Sequence, residues 1–321
     1  MLESGYYNVF PLWLRGLLNM DSLQELSVAP ALPVASVVSA PVYLRPQRLS
    51  DALSALAKQR LTVLAGGTDF YPARVGQPID ADILDITRVA DLRGIRDQGN
   101  LYRIGATVTW SELIAASLPP QFDGLKAAAR EVGGEQIQNA GTVAGNLCNA
   151  SPAADGIPPL MALGAQVELA SSRARRRVAL ADFVFGNRKT LRQPHELVTA
   201  VLVPKWRTGT RSVFLKLGHR KYLVISIVMV SAVVALDDSG RIAMCGIAVG
   251  ACSAAAQRLA GLEAKLTGQL ARGAAALVAA DDLQTLTPID DVRGSAEYRV
   301  DAALTLVRQA VAAAVAQEGA R

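Results

Sequence analysis

Gly141-Thr142-Val143-Ala144-Gly145-Asn146-Leu147-Cys148-Asn149-Ala150-Ser151-Pro152-Ala153-Ala154-Asp155 is the densest run of small and hydrogen-bonding residues in the chain. Gly141 and Gly145 permit unusual backbone angles and close approach of a ligand. Thr142, Asn146, Asn149 and Ser151 carry polar groups with little bulk. Asp155 closes the run with a carboxylate and precedes the apolar Leu160–Leu163, which reads as a helix. Such a segment suits a large phosphorylated ligand lying along exposed backbone N–H groups. Taken alone, it also reads as a tight turn between two strands. A second glycine-rich stretch, Ala65-Gly66-Gly67-Thr68-Asp69, changes that balance. It follows the β-branched and apolar Leu61-Thr62-Val63-Leu64 and precedes a candidate short helix, Phe70-Tyr71-Pro72-Ala73-Arg74. Strand, glycine-rich turn and helix in that order suit a diphosphate, because free N–H groups point at the anion. The spacing is not the G-x-G-x-x-G dinucleotide fingerprint. Asp69 would repel a diphosphate and is read as capping the following turn.

Length and composition bound the rest. The 321 residues suffice for two or three domains with a substantial core. Apolar residues make up 51% of the chain, much of it Ala. The longest apolar run, Leu223 to Leu236, is broken by Ser226 and Ser231. It is shorter than the roughly 20 residues a spanning helix needs, so a buried strand is expected and no membrane span. The net charge of +5 is mild. Arg173, Arg175, Arg176 and Arg177 fall between two strand-like runs, Gln166–Leu169 and Val178–Leu180. Without interleaved aromatics they read as a solvated hairpin turn, not a nucleic-acid site. Cys148, Cys245 and Cys252 form neither a disulfide framework nor a C-x-x-C pair, which fits a reducing cytoplasm. Three thiols are also too few for four-thiolate iron–sulfur ligation. His195 and His219 have no clustered carboxylates, so no metal is expected on this chain.

Taken in order, residues 1–40 form an extension of unknown role. Its apolar Leu12–Leu18 lacks the basic flank and cleavage site of a signal peptide, Ala29–Pro41 reads as a linker, and Met20 is a candidate start. Residues 41–207 divide into a small βαβ-like unit over 41–93 and an α+β unit over 94–207. The first holds a strand at Val42–Leu44, a helix capped by Ser50 and a strand at Ile83–Ile86. The second holds a strand at Leu101–Ala106, a Thr109-Trp110-Ser111-Glu112 capping box, a helix over Asp123–Val132 and strands at Ala165–Ala170 and Leu197–Val203. Thr208–Arg211 marks a boundary. Residues 208–321 then read as a three-stranded antiparallel sheet (Val213–Gly218, Val224–Leu236, Arg241–Val249) with a hairpin turn at Asp237–Gly240. Helices are expected near Ala255–Leu262, Gln269–Ala279 and Ser295–Ala316.

With both glycine-rich stretches in place, the chain resembles the FAD-binding subunit of the molybdenum hydroxylases, a family that includes xanthine dehydrogenase, CO dehydrogenase and 4-hydroxybenzoyl-CoA reductase. The resemblance runs from about Val42 to Ala312 and rests on motifs in the family's order. These are Leu64–Asp69, Gly141–Asn146, Ser151–Asp155, Gly186-Asn187-Arg188-Lys189-Thr190, Lys216-Leu217-Gly218-His219-Arg220-Lys221 and Asp291-Val292-Arg293-Gly294-Ser295-Ala296-Glu297-Tyr298-Arg299. It implies an α+β, two-subdomain FAD-binding fold of the PCMH type, followed by a C-terminal domain of the CO dehydrogenase flavoprotein type. It also implies that Val63, Leu64, Ala65, Gly66, Gly67, Thr68, Asp69 and Phe70 cradle the FAD diphosphate. Thr142, Val143, Ala144, Gly145 and Asn146 would contact the diphosphate and the flavin side, Asp155 would contact the cofactor, and Leu197 and Lys216 would line the flavin. A cation such as Lys216 near the ring would stabilise reduced flavin; it reads equally well as a solvated strand-end lysine. Two departures stand out. Ala144 occupies a position where the family usually has Gly, and Gln138 one where a basic residue is common. The cysteine-rich insertion of the 4-hydroxybenzoyl-CoA reductase subunit is absent.

The implied function is that of a cytoplasmic electron-transfer subunit in a heterotrimer. A large subunit would carry the molybdenum cofactor and a small one two-iron two-sulfur clusters, with NAD, oxygen or another acceptor downstream. No catalytic acid, base or nucleophile is expected on this chain, because the cofactor carries the chemistry. The competing readings are a stand-alone FAD-dependent oxidoreductase of the same fold and a scaffold that has lost FAD.

Overall fold

The computed structural model describes residues 40–316, so the expected 1–40 extension lies outside the described residues except for Ala40. The N-terminal subdomain is a parallel sheet of β1 (Tyr43–Leu44), β2 (Thr62–Leu64) and β3 (Ile83–Asp85), in the order β1-β3-β2, with α1 (Leu49–Lys58) crossing between the first two. Helix α1 forms because Leu49, Ala52, Leu53 and Leu56 recur on one face, and that face is buried. Its N-cap is Arg48, not Ser50. Burying Leu49 on the same stripe starts the helix two residues earlier than the hydroxyl suggested, and Ser50 Oγ donates only to Asp51. Asp85, at the end of the central strand, ties the sheet edge together. It accepts from Tyr43 Oη at 2.6 Å, from Thr87 N at 2.9 Å and from Thr87 Oγ1 at 2.6 Å, and it pairs with Arg45 Nε at 2.9 Å. Burial pushes its carboxyl up, but the bonds from Thr87 and Tyr43 outweigh this and hold it below the usual carboxylate range.

The second subdomain is an antiparallel five-stranded sheet, with order β4-β5-β10-β6-β7. Its strands are β4 (Ile95–Asp97), β5 (Leu101–Gly105), β6 (Gln166–Ala170), β7 (Arg175–Ala179) and β10 (Leu197–Pro204). Between β5 and β6 run α2 (Trp110–Ala115), α3 (Asp123–Glu131), α4 (Glu135–Ala140), α5 (Val143–Asn149) and α6 (Ile157–Ala162). After β7 come α7 (Leu180–Phe183) and the small hairpin of β8 (Val184–Gly186) and β9 (Lys189–Thr190). The capping box at Thr109 and Glu112 is formed. Two expectations are corrected. Arg175, Arg176 and Arg177 are paired strand residues, not a turn, and Arg176 holds Glu196 at 2.7 and 2.8 Å. The 143–149 segment is a helix, not a loop. Thr142 caps it by accepting from Gly145 N at 3.0 Å, and Ala150 closes it in the left-handed region at φ 49°.

The C-terminal domain is an antiparallel sheet of β11 (Arg211–Leu217), β12 (Val228–Leu236), β13 (Ile242–Gly250) and a short fourth strand, β14 (Gln257–Arg258), that the sequence pattern did not reveal. Helix α8 (Ala260–Leu266) begins later than expected, and the Gln269–Ala279 helix is replaced by a single 3-10 turn at Ala274–Leu277. Gly268 and Gly273, both at positive φ, interrupt the helical spacing there. Helix α9 (Ala296–Ala316) covers one face of the sheet through Ala303, Val307, Ala310 and Val311. The other face packs on α3 and α6 of the preceding subdomain. This is why Val228 to Ala235 is an unbroken buried run: Val228, Val230, Ala232 and Val234 join the core under α9, while Met229 and Val233 point the other way. Strand β12 starts at Val228 instead of Val224, because Leu223 turns left-handed at φ 50° and the chain before Ser226 lies over a cavity.

The Asp85 network gives a pH-dependent prediction. Its carboxyl titrates lower in the folded chain than its unfolded value near ~3.9, so it contributes stability above that value and loses it as pH falls through the folded one. Asp85→Asn is expected to flatten the fall in stability below about pH 4 in urea titrations. An unchanged acid limb would contradict this.

Candidate functional site

One cavity of about 870 Å³ opens between the two N-terminal subdomains, within the roughly 300–1,000 Å³ of cofactor sites. Val63, Leu64, Ala65, Gly66, Gly67, Thr68, Asp69 and Phe70 line it, as do Thr142, Ala144, Gly145, Asn146, Asp155 and Leu197. Two positions assigned from the sequence do not. Val143 is fully buried in the core, because as the first residue of α5 it faces inward. Lys216 stands behind Asp155 and reaches the cavity only through it.

The first loop is shaped by a near-collision. A Cβ on Gly66 would lie 1.9 Å from Ala140 O and 2.9 Å from Gly141 Cα, so the two glycine-rich stretches touch backbone to backbone. Gly67 turns left-handed at φ 71°, which only Gly adopts without strain. Beyond it, Tyr71 N returns to Gly67 O at 3.1 Å and Ala73 N to Asp69 O at 3.3 Å. The N–H groups of Gly66, Gly67, Thr68, Asp69 and Phe70 have no acceptor among the described residues. Consecutive free N–H groups on a cavity wall form an anion-binding concavity. Asp69 is exposed, and its carboxylate makes no cap. Its backbone carbonyl makes the turn instead, leaving the side chain free to point away from a bound anion.

The second wall is built on Trp110. Its N–H donates to Gly141 O at 3.1 Å, and Val143 N donates to Val108 O at 3.0 Å, so strand and helix backbones fix the start of α5. The indole is 1% exposed and packs so closely on Gly156 that a Cβ there would lie 2.3 Å away. Ala144 fits as a buried residue in ordinary helical backbone, and Gln138 Nε2 donates to Arg130 O at 3.1 Å. Asn146 Oδ1 is buried with no partner, an unmet acceptor within the cavity wall. Cys148 also lines the cavity, and desolvation pushes its thiol up to about 11, away from the reactive thiolate.

At Asp155 the C-terminal domain enters the site. The carboxylate is 8% exposed; Lys216 Nζ donates to one oxygen at 2.9 Å and Ser226 Oγ to the other at 3.0 Å. Burial raises the Asp155 carboxyl despite both donors. Ser226 was missed as a functional residue, although its sequence signal was plain: a hydroxyl interrupting an apolar run. Arg188, in the left-handed region at φ 55°, Leu223, Val224 and Ile225 also line the cavity. Among the described residues no cluster could hold a metal ion, and no helix is long and apolar enough to cross a membrane.

Residues 36–206 match the family described as the FAD binding domain in molybdopterin dehydrogenase, and residues 214–314 match the CO dehydrogenase flavoprotein C-terminal domain. The chain belongs to the FAD-binding subunits of the molybdenum hydroxylase family. It is 33% identical to the carbon monoxide dehydrogenase medium chain of Afipia carboxidovorans, over 86% of this chain and 96% of that one. It is 30% identical to the xanthine dehydrogenase FAD-binding subunit of Escherichia coli O157:H7, over 87% and 97%. The crystal structure of the Cu,Mo-CO dehydrogenase in its cyanide-inactivated form superposes with a TM-score of 0.79 at 28% identity, covering 87% of this chain and 99% of that one. The residues present fit FAD: the free N–H row and the glycine cradle suit its diphosphate, and the unpartnered Asn146 oxygen can accept from a donor on the same ligand.

Gly66→Ala tests the near-collision. The added carbon must drive the loops apart, at about 1–3 kcal/mol or more of stability. The purified variant is expected to melt lower and to carry little flavin absorbance; a variant that keeps wild-type melting and flavin content would contradict the geometry.

Proposed function

We propose that the chain is the FAD-carrying electron-transfer subunit of a multi-subunit molybdenum hydroxylase or dehydrogenase. The observation that carries this reading is the row of free N–H groups from Gly66 to Phe70 on the wall of a cofactor-sized cavity. FAD supplies the redox chemistry when bound. The chain's own residues bind and orient it: Gly66 to Phe70 donate to the diphosphate, and Thr142 and Gly145 hold the second loop against it. Leu197 and Ala144 give an apolar wall and exclude water. Asp155 offers its remaining lone pairs to hydroxyl groups, and Lys216 adds positive charge behind it.

The names of the relatives support the wider assembly. They are medium chains and FAD subunits of carbon monoxide, xanthine and nicotinate dehydrogenases. By analogy, the substrate is oxidised at a molybdenum cofactor on a large subunit. Two-iron two-sulfur clusters on a small subunit then deliver electrons to this chain, and NAD, oxygen or another acceptor removes them.

The test compares the isolated chain with the assembled complex. Flavin in the complex is expected to bleach when the complex's substrate is added without acceptor, and flavin in the isolated chain is expected not to respond. Bleaching of the isolated chain by an organic substrate would instead assign a stand-alone flavoenzyme.

A further inference from the structure

The groups behind Asp155 continue as one connected path into the C-terminal helix. Arg299, in the first turn of α9, is wholly buried. Its Nη1 donates to Ile227 O at 2.6 Å and to Ala251 O at 3.0 Å, and its Nη2 to Asp291 Oδ1 at 2.7 Å. Arg293 grips the same carboxylate through Nη2 at 2.6 Å and donates from Nη1 to Ser226 O at 3.2 Å. Ser226 in turn donates its hydroxyl to Asp155 at 3.0 Å. The second branch runs through Ala251. This residue is held left-handed at φ 63°, and its N–H donates to Pro152 O at 2.9 Å, three residues before Asp155.

Packing alone does not call for this arrangement. A buried guanidinium costs desolvation free energy, and Arg299 Nε is left without a partner, which adds to that cost. What the cluster achieves is specific. It fixes three backbone carbonyls, Ser226 O, Ile227 O and Ala251 O, and Ser226 and Ala251 each hydrogen-bond to the segment that carries Asp155.

We infer that Arg299, Asp291 and Arg293 form a positioning clamp for the Asp155–Lys216 pair, fixing where that pair stands against the bound cofactor. This rests on the FAD reading. None of the three residues lines the cavity; they act through Ser226 and the Pro152 backbone. Without the clamp, Asp155 no longer holds Lys216 in one geometry. The cofactor then loses a fixed acceptor and meets a less neutralised cation, which favours the more negatively charged reduced flavin.

The test uses the full chain with Ser226→Ala, Arg293→Ala and Arg293→Lys. The readouts are FAD affinity by fluorescence titration, flavin midpoint potential by dye equilibration, and thermal melting of the FAD-free protein. Ser226→Ala and Arg293→Ala are expected to weaken FAD binding about tenfold or more, as for one lost bond to a charged group, and to shift the potential upward. Arg293→Lys keeps a cation for Asp291 and is expected to restore part of both. Lower melting with unchanged affinity and potential would overturn the clamp, leaving the cluster as ordinary structure. Should Arg293→Ala fail to fold, Arg293→Lys decides: it gives up the fork that reaches Ser226 O, and affinity and potential both equal to wild type would overturn the clamp. A wild-type chain that binds no FAD would defeat the FAD reading itself, a result separate from failure of the clamp.

Discussion

The backbone contact between Gly66 and Ala140–Gly141 is the constraint on which the site depends. The two glycine-rich stretches lie more than seventy residues apart in sequence, one after a strand and the other between two helices, yet they meet with no room for a methyl group. That approach sets the free N–H row of the first loop beside helix α5 of the second subdomain. Trp110 then fixes the second loop from below, through Gly141 O and the close pack against Gly156. The capping box that starts α2 therefore bears on the site, because it orients the indole.

The C-terminal domain is part of the same device. Its sheet is buried on both faces, by α9 on one side and by α3 and α6 on the other. Strand β11 can thus deliver Lys216, and the turn before β12 can deliver Ser226, to a carboxylate that belongs to the preceding domain. Burial raises the Asp155 carboxyl and the two donors oppose that rise.

Much of this was legible in the sequence, for local reasons. A glycine-rich turn after a β-branched run identified the first loop, a density of small and polar residues identified the second stretch, Thr109 and Glu112 identified a capping box, and Asp237 to Gly240 marked a hairpin. What escaped depended on tertiary contacts. Ser50 looked like a cap until Leu49 was needed in the core. The Gly141–Asp155 stretch looked like a loop because its glycines masked a seven-residue helix. Arg175 to Arg177 looked like a turn, but they pair with β6, and Arg176 among them holds Glu196. Lys216 was expected to line the flavin; its side chain pairs with Asp155 and does not line the cavity. No periodicity reports a partner so distant in sequence.

The central claim is that this cavity holds FAD. The most direct measurement is chromatography of the chromophore released by heat from the complex purified with its partner subunits, quantified against protein. The account predicts FAD in equimolar amount with this chain, and loss of that FAD when Gly66 carries a side chain. A complex that releases no flavin, or that keeps its full complement after Gly66→Ala, would contradict it.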